Sequence, residues 1–376
     1  MECIVSRGVC MTDILIRYSE IGLKGKNRSF FEDRLAANIK LALKGNQIQL
    51  IKEYKQFILK TAAAALTKLN KVFGIAWLAP VIMVKNEAEA ITAAALKLIE
   101  PKKTFAVRAH HDLEVSLGEV IRTKKKIKVD LDNPQQTIYI SQSEKKAIVF
   151  NQKISGPGGL PVGTSGKVLC LLSGGFDSVA AAYQLAKRGA QVDFLHFHVF
   201  TDEAPVLKSK VKAIVDGLKT WTLSKKLYLA SYLPWQMAVL SLSDRDTKHE
   251  LVVYRRLMAR VGEALAKKHG YQALILGDSL GQVASQTLEN IVAVDRAVQI
   301  PVFRPLLGND KNETINLVRR IGLEAVVNEP YKDCCSLIST HPATRADLDK
   351  ISKIETGIKI ETIIKEISSH AQVINL

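Results

Sequence analysis

Six residues, Ser173 to Ser178, have the composition and the setting of a phosphate-binding turn. They spell SGGFDS and lie between an apolar run, residues 168–172, and a helix-forming stretch. Two adjacent glycines allow consecutive backbone N–H groups to converge on one anion, and the start of a helix adds further donors. The Lys of a Walker A loop is missing, and Asp177 would repel a phosphate unless a metal ion lay between them. The pattern therefore predicts a pyrophosphate site bridged by Mg²⁺, with a plain glycine turn as the alternative.

The composition indicates a globular protein with an excess of positive charge. The 376 residues are enough for two or three domains, and 53 Lys and Arg against 37 Asp and Glu give a net charge of +16. Such a charge predicts attraction to a polyanion. No run of about 18 apolar residues is present, so we expect no membrane partner. Five Cys in a chain of this length do not predict a disulfide framework, which favours a cytoplasmic location.

The first part of the chain mixes short strands and helices with clustered basic residues. Met1 and Met11 are both candidate starts of translation, and we predict one α+β domain over 11–60 and a second over 61–152. The pattern predicts helices at 29–43, 62–73 and 87–99 and strands at 14–18, 57–59, 76–84, 104–109, 126–131 and 137–140. Between Lys102 and Lys128, eight Lys or Arg stand against three acidic residues. This second domain is therefore the better candidate for contact with a polyanion.

The second part of the chain has the order of a parallel sheet. Residues 153–167 hold five Gly and two Pro and predict a linker. From 168 to 376 strands and helices alternate, which predicts a doubly wound α/β domain with its ligand at the carboxyl ends of the strands. The SGGFDS turn follows the first of these strands. Its position thus agrees with a nucleotide site.

Several separated segments together resemble the tRNA 4-thiouridine synthetase family, ThiI. They are RYSEIGLKGKNRSFFE (17–32), GPGGLPVGTSGKVL (156–169), LLSGGFDSVAAAY (171–183), HFH (196–198), YRRLM (254–258), GDSLGQVASQTLEN (277–290), RPLLGNDK (304–311) and DCCSLISTHP (333–342). The resemblance implies an α/β multidomain protein with an N-terminal ferredoxin-like domain, a THUMP RNA-binding domain and a PP-loop ATP pyrophosphatase domain. It also implies a sulfurtransferase that uses ATP and Mg²⁺ to convert uridine at position 8 of tRNA into 4-thiouridine.

The resemblance further implies roles for single residues. ATP is expected at Leu171, Leu172, His196, Phe197, Arg255, Gly277 and Gln286, and its pyrophosphate with Mg²⁺ at Ser173, Gly174, Gly175, Asp177 and Ser178. Lys311 matches a Lys implicated in the family's activity, and Cys334 or Cys335 falls where the family places a sulfur-carrying Cys. Alignment from the following SLIS favours Cys335, whereas counting from Lys311 favours Cys334. Without a motif of direct ligands, the metal is expected to be held through ATP and Asp177.

Two groups of basic residues are expected to contact tRNA. They are Lys24, Lys26 and Arg28 in the first domain and Arg108, Arg122, Lys124, Lys125 and Lys126 in the second. RNA bound mainly by shape and backbone needs such contacts, and its affinity falls as salt rises.

The chain departs from longer members of the family at its end. Those members carry a rhodanese-like domain whose Cys receives a persulfide, whereas this chain ends at Leu376. We therefore expect a short form that takes sulfur from a cysteine desulfurase, a separate rhodanese or sulfide. The family's second role, sulfur transfer to the carrier protein ThiS for thiamine synthesis, is not favoured without that domain. Alternatives are another PP-loop tRNA-modifying enzyme, for 2-thiolation or lysidine formation, and a non-catalytic THUMP protein.

Overall fold

The chain divides into two compact units, Met1–Pro161 and Val162–Leu376, each built around its own sheet. A computed structural model describes residues 4–6, 9–243, 246–334, 338 and 342–376. None of the helices in these ranges is long and apolar enough to cross a membrane.

The first unit contains a nine-stranded sheet. Its strands are β1 (Ile4–Ser6), β2 (Val9–Tyr18), β3 (Gln49–Glu53), β4 (Gln56–Ala62), β5 (Ile75–Lys85), β6 (Phe105–Arg108), β7 (Gln136–Gln142), β8 (Lys146–Phe150) and β9 (Ile154–Ser155). Its helices are α1 (Arg28–Ala42), α2 (Leu66–Leu69), α3 (Ala88–Leu98) and α4 (His111–Lys125). The strand order is β3-β4-β2-β5-β8-β7-β6, with β1 beside β2 and β9 beside β5. Among the described strand pairs of this first sheet, only β6–β7 is parallel.

Strand β5 joins the two halves of this sheet. Its residues Ile75–Val81 pair with β2, and Ile82–Lys85 pair with β8. One core lies under α1, where Leu35 and Ile39 are buried, and a second lies under α3 and α4. Phe30, near the start of α1, is 51% exposed and lies outside this core.

Two predicted elements of the first unit differ from those observed. The predicted strand at 126–131 is an irregular segment that makes a single bridge, between Phe105 and Val129, while the residues before it form the unpredicted helix α4. Leu117 and Ile121 are the buried anchors of that helix, and their spacing of four was hidden among charged residues. The predicted helix at 62–73 is reduced to a 3₁₀ turn and the four residues of α2.

The second unit contains a six-stranded sheet. Its strands are β10 (Lys167–Leu171), β11 (Gln191–His198), β12 (Lys226–Ser231), β13 (Ala273–Ile275), β14 (Val302–Phe303) and β15 (Gln372–Asn375). Its helices are α5 (Phe176–Lys187), α6 (Ala204–Leu207), α7 (Lys210–Thr222), α8 (Leu233–Val239), α9 (Glu250–His269), α10 (Leu288–Asp295), α11 (Lys311–Arg320), α12 (Glu324–Val327), α13 (Leu348–Gly357) and α14 (Ile360–His370).

The order of this second sheet, β14-β13-β10-β11-β12-β15, confirms the predicted doubly wound arrangement. All neighbouring strands are parallel except the edge strand β15, which is antiparallel. The chain moves from β10 to β11 and β12 on one side and later returns to β13 on the other. The carboxyl ends of β10 and β13 therefore form a topological switch point, where open α/β sheets bind their ligands.

Candidate active site

The SGGFDS turn leaves β10 at this switch point and is closed by its own serines. Gly174 has a φ of +84°, a left-handed conformation that favours glycine. The Ser173 hydroxyl accepts from Gly175 N–H at 3.2 Å, and the Ser178 hydroxyl accepts from Ser173 N–H at 3.3 Å. The Ser178 hydroxyl also donates to the Gly175 carbonyl at 3.1 Å, and the residue is buried. Ser178 thus fixes the conformation of the turn by hydrogen bonding to both Ser173 and Gly175.

Gly277, just after β13, is required by the close approach of α5. A Cβ atom there would lie 2.6 Å from the carbonyl carbon of Asp177 and 2.7 Å from the backbone nitrogen of Ser178. Both are backbone atoms of the first turn of α5. Neither can move aside without displacing the SGGFDS turn that precedes this helix. The absence of a side chain at Gly277 therefore fixes how closely β13 packs against α5.

The Asp177 carboxylate is the polar centre of the turn. Lys311, the first residue of α11, places Nζ 2.9 and 3.0 Å from its two oxygens. Gln282 donates from Nε2 to the same carboxylate at 3.0 Å. A carboxylate that already holds a cationic group at this position has the donor chemistry that Mg²⁺ prefers. Gln282 was missed as a site residue from the sequence, although it lies in the GDSLGQ segment.

Arg255 on α9 is held by a buried ion-pair network. Its Nη2 lies 2.5 Å from Asp278 Oδ1, and its Nη1 donates to the Ser285 carbonyl. Asp278 Oδ2 accepts from Arg304 Nε at 2.7 Å, and Arg304 also pairs with Asp295. These groups fix the Arg255 guanidinium in the cavity wall. Asp278 and Arg304 were not among the predicted site residues, because a buried partner at such sequence distance gives no local signal.

His196, near the end of β11, connects the start of the SGGFDS turn to the segment that carries the cysteines. Its Nδ1 lies 2.7 Å from the Leu172 carbonyl, and its Nε2 lies 2.8 Å from the Tyr331 hydroxyl. A carbonyl only accepts, so Nδ1 carries the proton and Nε2 accepts from Tyr331. Burial lowers the pKa of His196 to about 4, which keeps the ring neutral near pH 7. Tyr331 was not predicted as a site residue.

The cysteines have different environments. Cys334 is 2% exposed, and its Sγ donates to the Phe197 carbonyl at 3.3 Å. Cys334 thus packs in the apolar core beside β11. Cys335 lies outside the described residues. Cys170 in β10 is a core residue, and burial raises the pKa of its thiol.

One cavity of about 420 Å³ brings most of the predicted nucleotide-site residues together. Its lining includes Leu171, Leu172, Ser173, Asp177, Ser178, Phe197, Arg255, Gly277, Gln286 and Cys334. The predicted residues Gly174, Gly175, His196 and Lys311 lie around it without forming part of that lining. Its lining combines apolar side chains with polar and charged ones such as Asp177, Arg255 and Asp278, as is usual in small-molecule sites.

The basic residues predicted to contact RNA lie near opposite ends of the strand order in the first unit. Lys24, Lys26 and Arg28 occupy the turns that lead into α1, and the Arg28 guanidinium lies 5.8 Å from the ring centroid of Tyr54, between β3 and β4. At the β6 end, the exposed residues are Arg108, Arg122, Lys124, Lys125 and Lys126. Of these, Arg122 pairs with Glu119 and Arg108 donates to the Leu131 carbonyl.

The fold and the cavity together define a PP-loop nucleotide-binding protein of the α/β class. The family model "Thiamine biosynthesis protein (ThiI)" matches residues 163–360, and the "ThiI ferredoxin-like domain" model matches residues 13–79, reaching into β5.

Curated relatives support the same family over nearly the whole chain. The probable tRNA sulfurtransferase of Moorella thermoacetica is 34% identical over 97% of this chain and 98% of its own length. That of Thermus thermophilus is 36% identical over 92% of this chain and 89% of its own length. The chain belongs to the ThiI family.

Solved structures agree with this assignment. A 4-thiouridine synthetase, crystallised in complex with RNA and with bound ATP, has a TM-score of 0.86 at 29% identity, over 97% of this chain and 100% of that one. A protein from Pyrococcus horikoshii has a TM-score of 0.63 at 23% identity over 83% of this chain, which supports the fold alone.

Proposed function

We propose that the chain is a tRNA uracil 4-sulfurtransferase, which activates uridine at position 8 of tRNA with ATP and replaces its O4 by sulfur. The observation that carries the proposal is the shared cavity of the phosphate turn, the anchored Arg255 and the Cys334 thiol. An activating site and a sulfur-carrying segment are thus within reach of one bound uracil. The family membership and the RNA- and ATP-bound relative support the same activity.

The reaction divides into two exchanges. In the first, O4 of the uracil forms a bond to the α-phosphorus of ATP, and the bond from that phosphorus to the bridging oxygen breaks, releasing pyrophosphate. In the second, sulfur forms a bond to C4, and the C4–O4 bond breaks as AMP leaves with the oxygen. Adenylation converts a poor leaving group into a good one, which is why ATP is consumed.

The phosphate turn and its neighbours act in the first exchange. The backbone N–H groups near Gly174 and Gly175, with the N-terminus of α5, bind the pyrophosphate. Asp177 would hold Mg²⁺, which supplies charge neutralisation between the phosphates when bound. Lys311 then neutralises charge that develops on the phosphoryl oxygens.

The apolar part of the cavity orients the adenosine. This part of the cavity is lined by Leu171 and Leu172 at the end of β10, by the ring of Phe197 and by the side chain of Gln286. Gly277 keeps this wall close to the phosphate turn. Arg255 is positioned to contact the nucleotide because its buried partners leave it little freedom.

A cysteine persulfide delivers the sulfur in the second exchange. Cys335 or Cys334 would carry it, loaded by a cysteine desulfurase or a separate rhodanese. The outer sulfur attacks C4 as AMP leaves, and a second thiol then cleaves the resulting C4–S–S–Cys bond, which releases 4-thiouridine and leaves a disulfide. Sulfide, as the alternative donor, would attack C4 directly without a cysteine carrier. The hydrogen bond of Cys334 to Phe197 and that of Tyr331 to His196 hold the beginning of this segment next to the cavity. A role in sulfur transfer to ThiS is a separate question that depends on the donor.

The first unit binds the tRNA. We assign the ferredoxin-like domain to 11–60, a THUMP domain to 61–152 and the linker to 153–167, and we place RNA contacts at the two basic groups described above. Exposed Lys and Arg side chains suit phosphate contacts, which position RNA without reading its sequence.

Thiolation in vitro tests this function. The full chain is incubated with purified tRNA, ATP, Mg²⁺ and either sulfide or a cysteine desulfurase with cysteine, and the tRNA nucleosides are analysed by mass spectrometry. We expect 4-thiouridine with equimolar AMP and pyrophosphate. Formation of 2-thiouridine, or of lysidine when lysine is added, would assign the chain to another PP-loop activity, and tRNA binding without AMP release would indicate a non-catalytic THUMP protein.

A further inference from the structure

Lys210, the first residue of α7, lies beside the phosphate turn. A Cβ atom placed on Gly174 would lie 3.5 Å from Lys210 Cε and 3.5 Å from a methyl carbon of Val211. The Lys210 stem therefore runs along the turn at the residue whose left-handed backbone shapes it. None of the motif segments in the sequence includes Lys210.

The ammonium of Lys210 is bound to a neutral group. Its Nζ donates to the Val327 carbonyl at 2.8 Å, and within the described part of the chain it forms no ion pair. The side chain is half-buried, and burial lowers the pKa of Lys210 while the carboxylates of Asp333 and Glu329 act to raise it. A half-buried ammonium bound to a neutral carbonyl gains free energy when an anion comes within hydrogen-bond distance of it.

The other charged groups at the turn are consistent with an anion-binding role for Lys210. A Walker A loop carries a Lys for the terminal phosphates, and the SGGFDS turn has none. Lys311 is balanced by Asp177, which it contacts through both oxygens. Lys210 is then a cation next to the turn whose charge is not offset by a carboxylate in contact with it, among the residues that the structure describes.

We propose that Lys210 binds the β- and γ-phosphates of ATP, and afterwards the pyrophosphate product, by turning its ammonium from the Val327 carbonyl to the phosphates at Gly174. The role rests on the proposed function, since it takes the turn to be the pyrophosphate site of that reaction. It assigns to α7 the lysine that a Walker A loop would carry within the loop itself. AMP, which lacks these two phosphates, would gain nothing from Lys210.

Calorimetric titration of pyrophosphate and of AMP, each with Mg²⁺, into the full chain tests the proposal. Lys210→Gln keeps most of the stem and removes the charge. We expect pyrophosphate to bind the variant about tenfold or more weakly, the loss of one charge-assisted hydrogen bond, while AMP binding stays unchanged. Lys210→Arg should recover part of the pyrophosphate affinity.

Lys212→Gln is the matched control. Lys212 lies on the same helix and is paired with Asp216, and its loss should alter neither titration. Equal pyrophosphate affinity in wild type and Lys210→Gln, absent pyrophosphate binding in wild type, or an equal loss of AMP binding in Lys210→Gln would each overturn the proposal. If wild type binds pyrophosphate through Lys210 but forms no 4-thiouridine, the proposed function fails and the role of Lys210 stands.

Discussion

Side chains are held differently in the SGGFDS turn of the second unit and in the two basic groups of the first unit. In the turn, Ser173, Ser178 and Asp177 each have defined partners, and Gly277 leaves no room for a side chain behind them. The lysines at the end of α4 are exposed and project from the last helical turn. Chemistry at a single phosphorus depends on geometry, whereas attraction to many phosphates depends on summed charge.

This difference indicates how each region should respond to substitution. Removing one group from the turn should stop a step, because its neighbours cannot take over its position. Removing one or two lysines should weaken binding by degrees, because other cations remain. The following substitutions test that contrast in order of decreasing effect.

Asp177→Asn should have the largest effect. The amide keeps the size of the side chain and loses the charge that meets Lys311 and would hold the proposed Mg²⁺, so we expect AMP release to fall about a thousandfold. Binding of tRNA should stay within about twofold of wild type, since exposed cations elsewhere supply it. Release of AMP is measured with labelled ATP. Wild-type release by Asp177→Asn would remove Asp177 from the mechanism.

Cys335→Ser should separate sulfur transfer from activation. A hydroxyl cannot carry sulfur, so we expect 4-thiouridine to fall about a hundredfold or more while AMP formation continues. Cys334→Ser is the matched variant, and burial of Cys334 against Phe197 leads us to expect a smaller loss. The two variants are compared by the ratio of thiolated tRNA to AMP formed. The reverse order would assign the sulfur to Cys334, and no effect of either would mean that sulfide attacks without a protein thiol.

His196→Asn should change how stability depends on pH. The pKa of His196 is about 4 in the folded chain, against 6.5 for an unperturbed imidazole, so the unfolded chain binds more protons between these pH values. The free energy of unfolding therefore decreases as pH falls from about 6.5 to about 4. By pH 5, His196 lowers it by on the order of 2 kcal/mol. The asparagine amide can still donate to Leu172 without titrating.

Urea unfolding at pH 7 and at pH 5 measures the effect. We expect the loss of stability between the two pH values to be smaller in His196→Asn than in wild type by that amount. The lowered pKa of His198 acts in the same direction in both proteins and so cancels in the difference. Identical losses would show that His196 is not buried as a neutral ring.

Gly277→Ala should weaken ATP binding through the backbone. The added methyl would press on Asp177 and Ser178, and an overpacked contact of this kind costs about 1–3 kcal/mol, so we expect the KM for ATP to rise about tenfold. Gly357→Ala, in α13 of the same unit, meets nothing within 4 Å and serves as the control. An unchanged KM in Gly277→Ala would show that β13 and α5 separate freely.

Lys124→Gln with Lys125→Gln should have the smallest effect. We expect tRNA affinity to fall several-fold and the slope of log affinity against log salt to become shallower by about 1 for each phosphate that is no longer neutralised. Lys353→Gln with Lys365→Gln, exposed residues of the second unit, match the change in net charge. Equal losses in both pairs would mean that net charge alone, rather than the α4 end, governs binding.

The sequence predicted the parts of the site that lie next to one another along the chain. The SGGFDS turn, the strand before it and the helix after it form a local pattern, as does the alternation that specifies the parallel sheet. Gln282, Asp278 and Tyr331 were not predicted as site residues, because their contacts with Asp177, Arg255 and His196 span 105, 23 and 135 positions.

In the first unit, the sequence pattern missed or misassigned some of the elements themselves. Helix α4 was missed because its charged residues outnumber the two buried ones that fix its face, and the segment after it was taken for a strand. The shared strand β5 was predicted as an element, but its pairing with both β2 and β8 depends on contacts far apart in sequence. Local pattern identifies elements, and their pairing is decided by the packing of the whole unit.

The nucleosides of cellular tRNA show whether this chain makes 4-thiouridine. Mass spectrometry of tRNA from cells with and without this chain should show 4-thiouridine only where the chain is present, and its Asp177→Asn variant should not restore it. Retention of 4-thiouridine in cells that lack the chain, or loss of 2-thio nucleosides alone, would contradict the account.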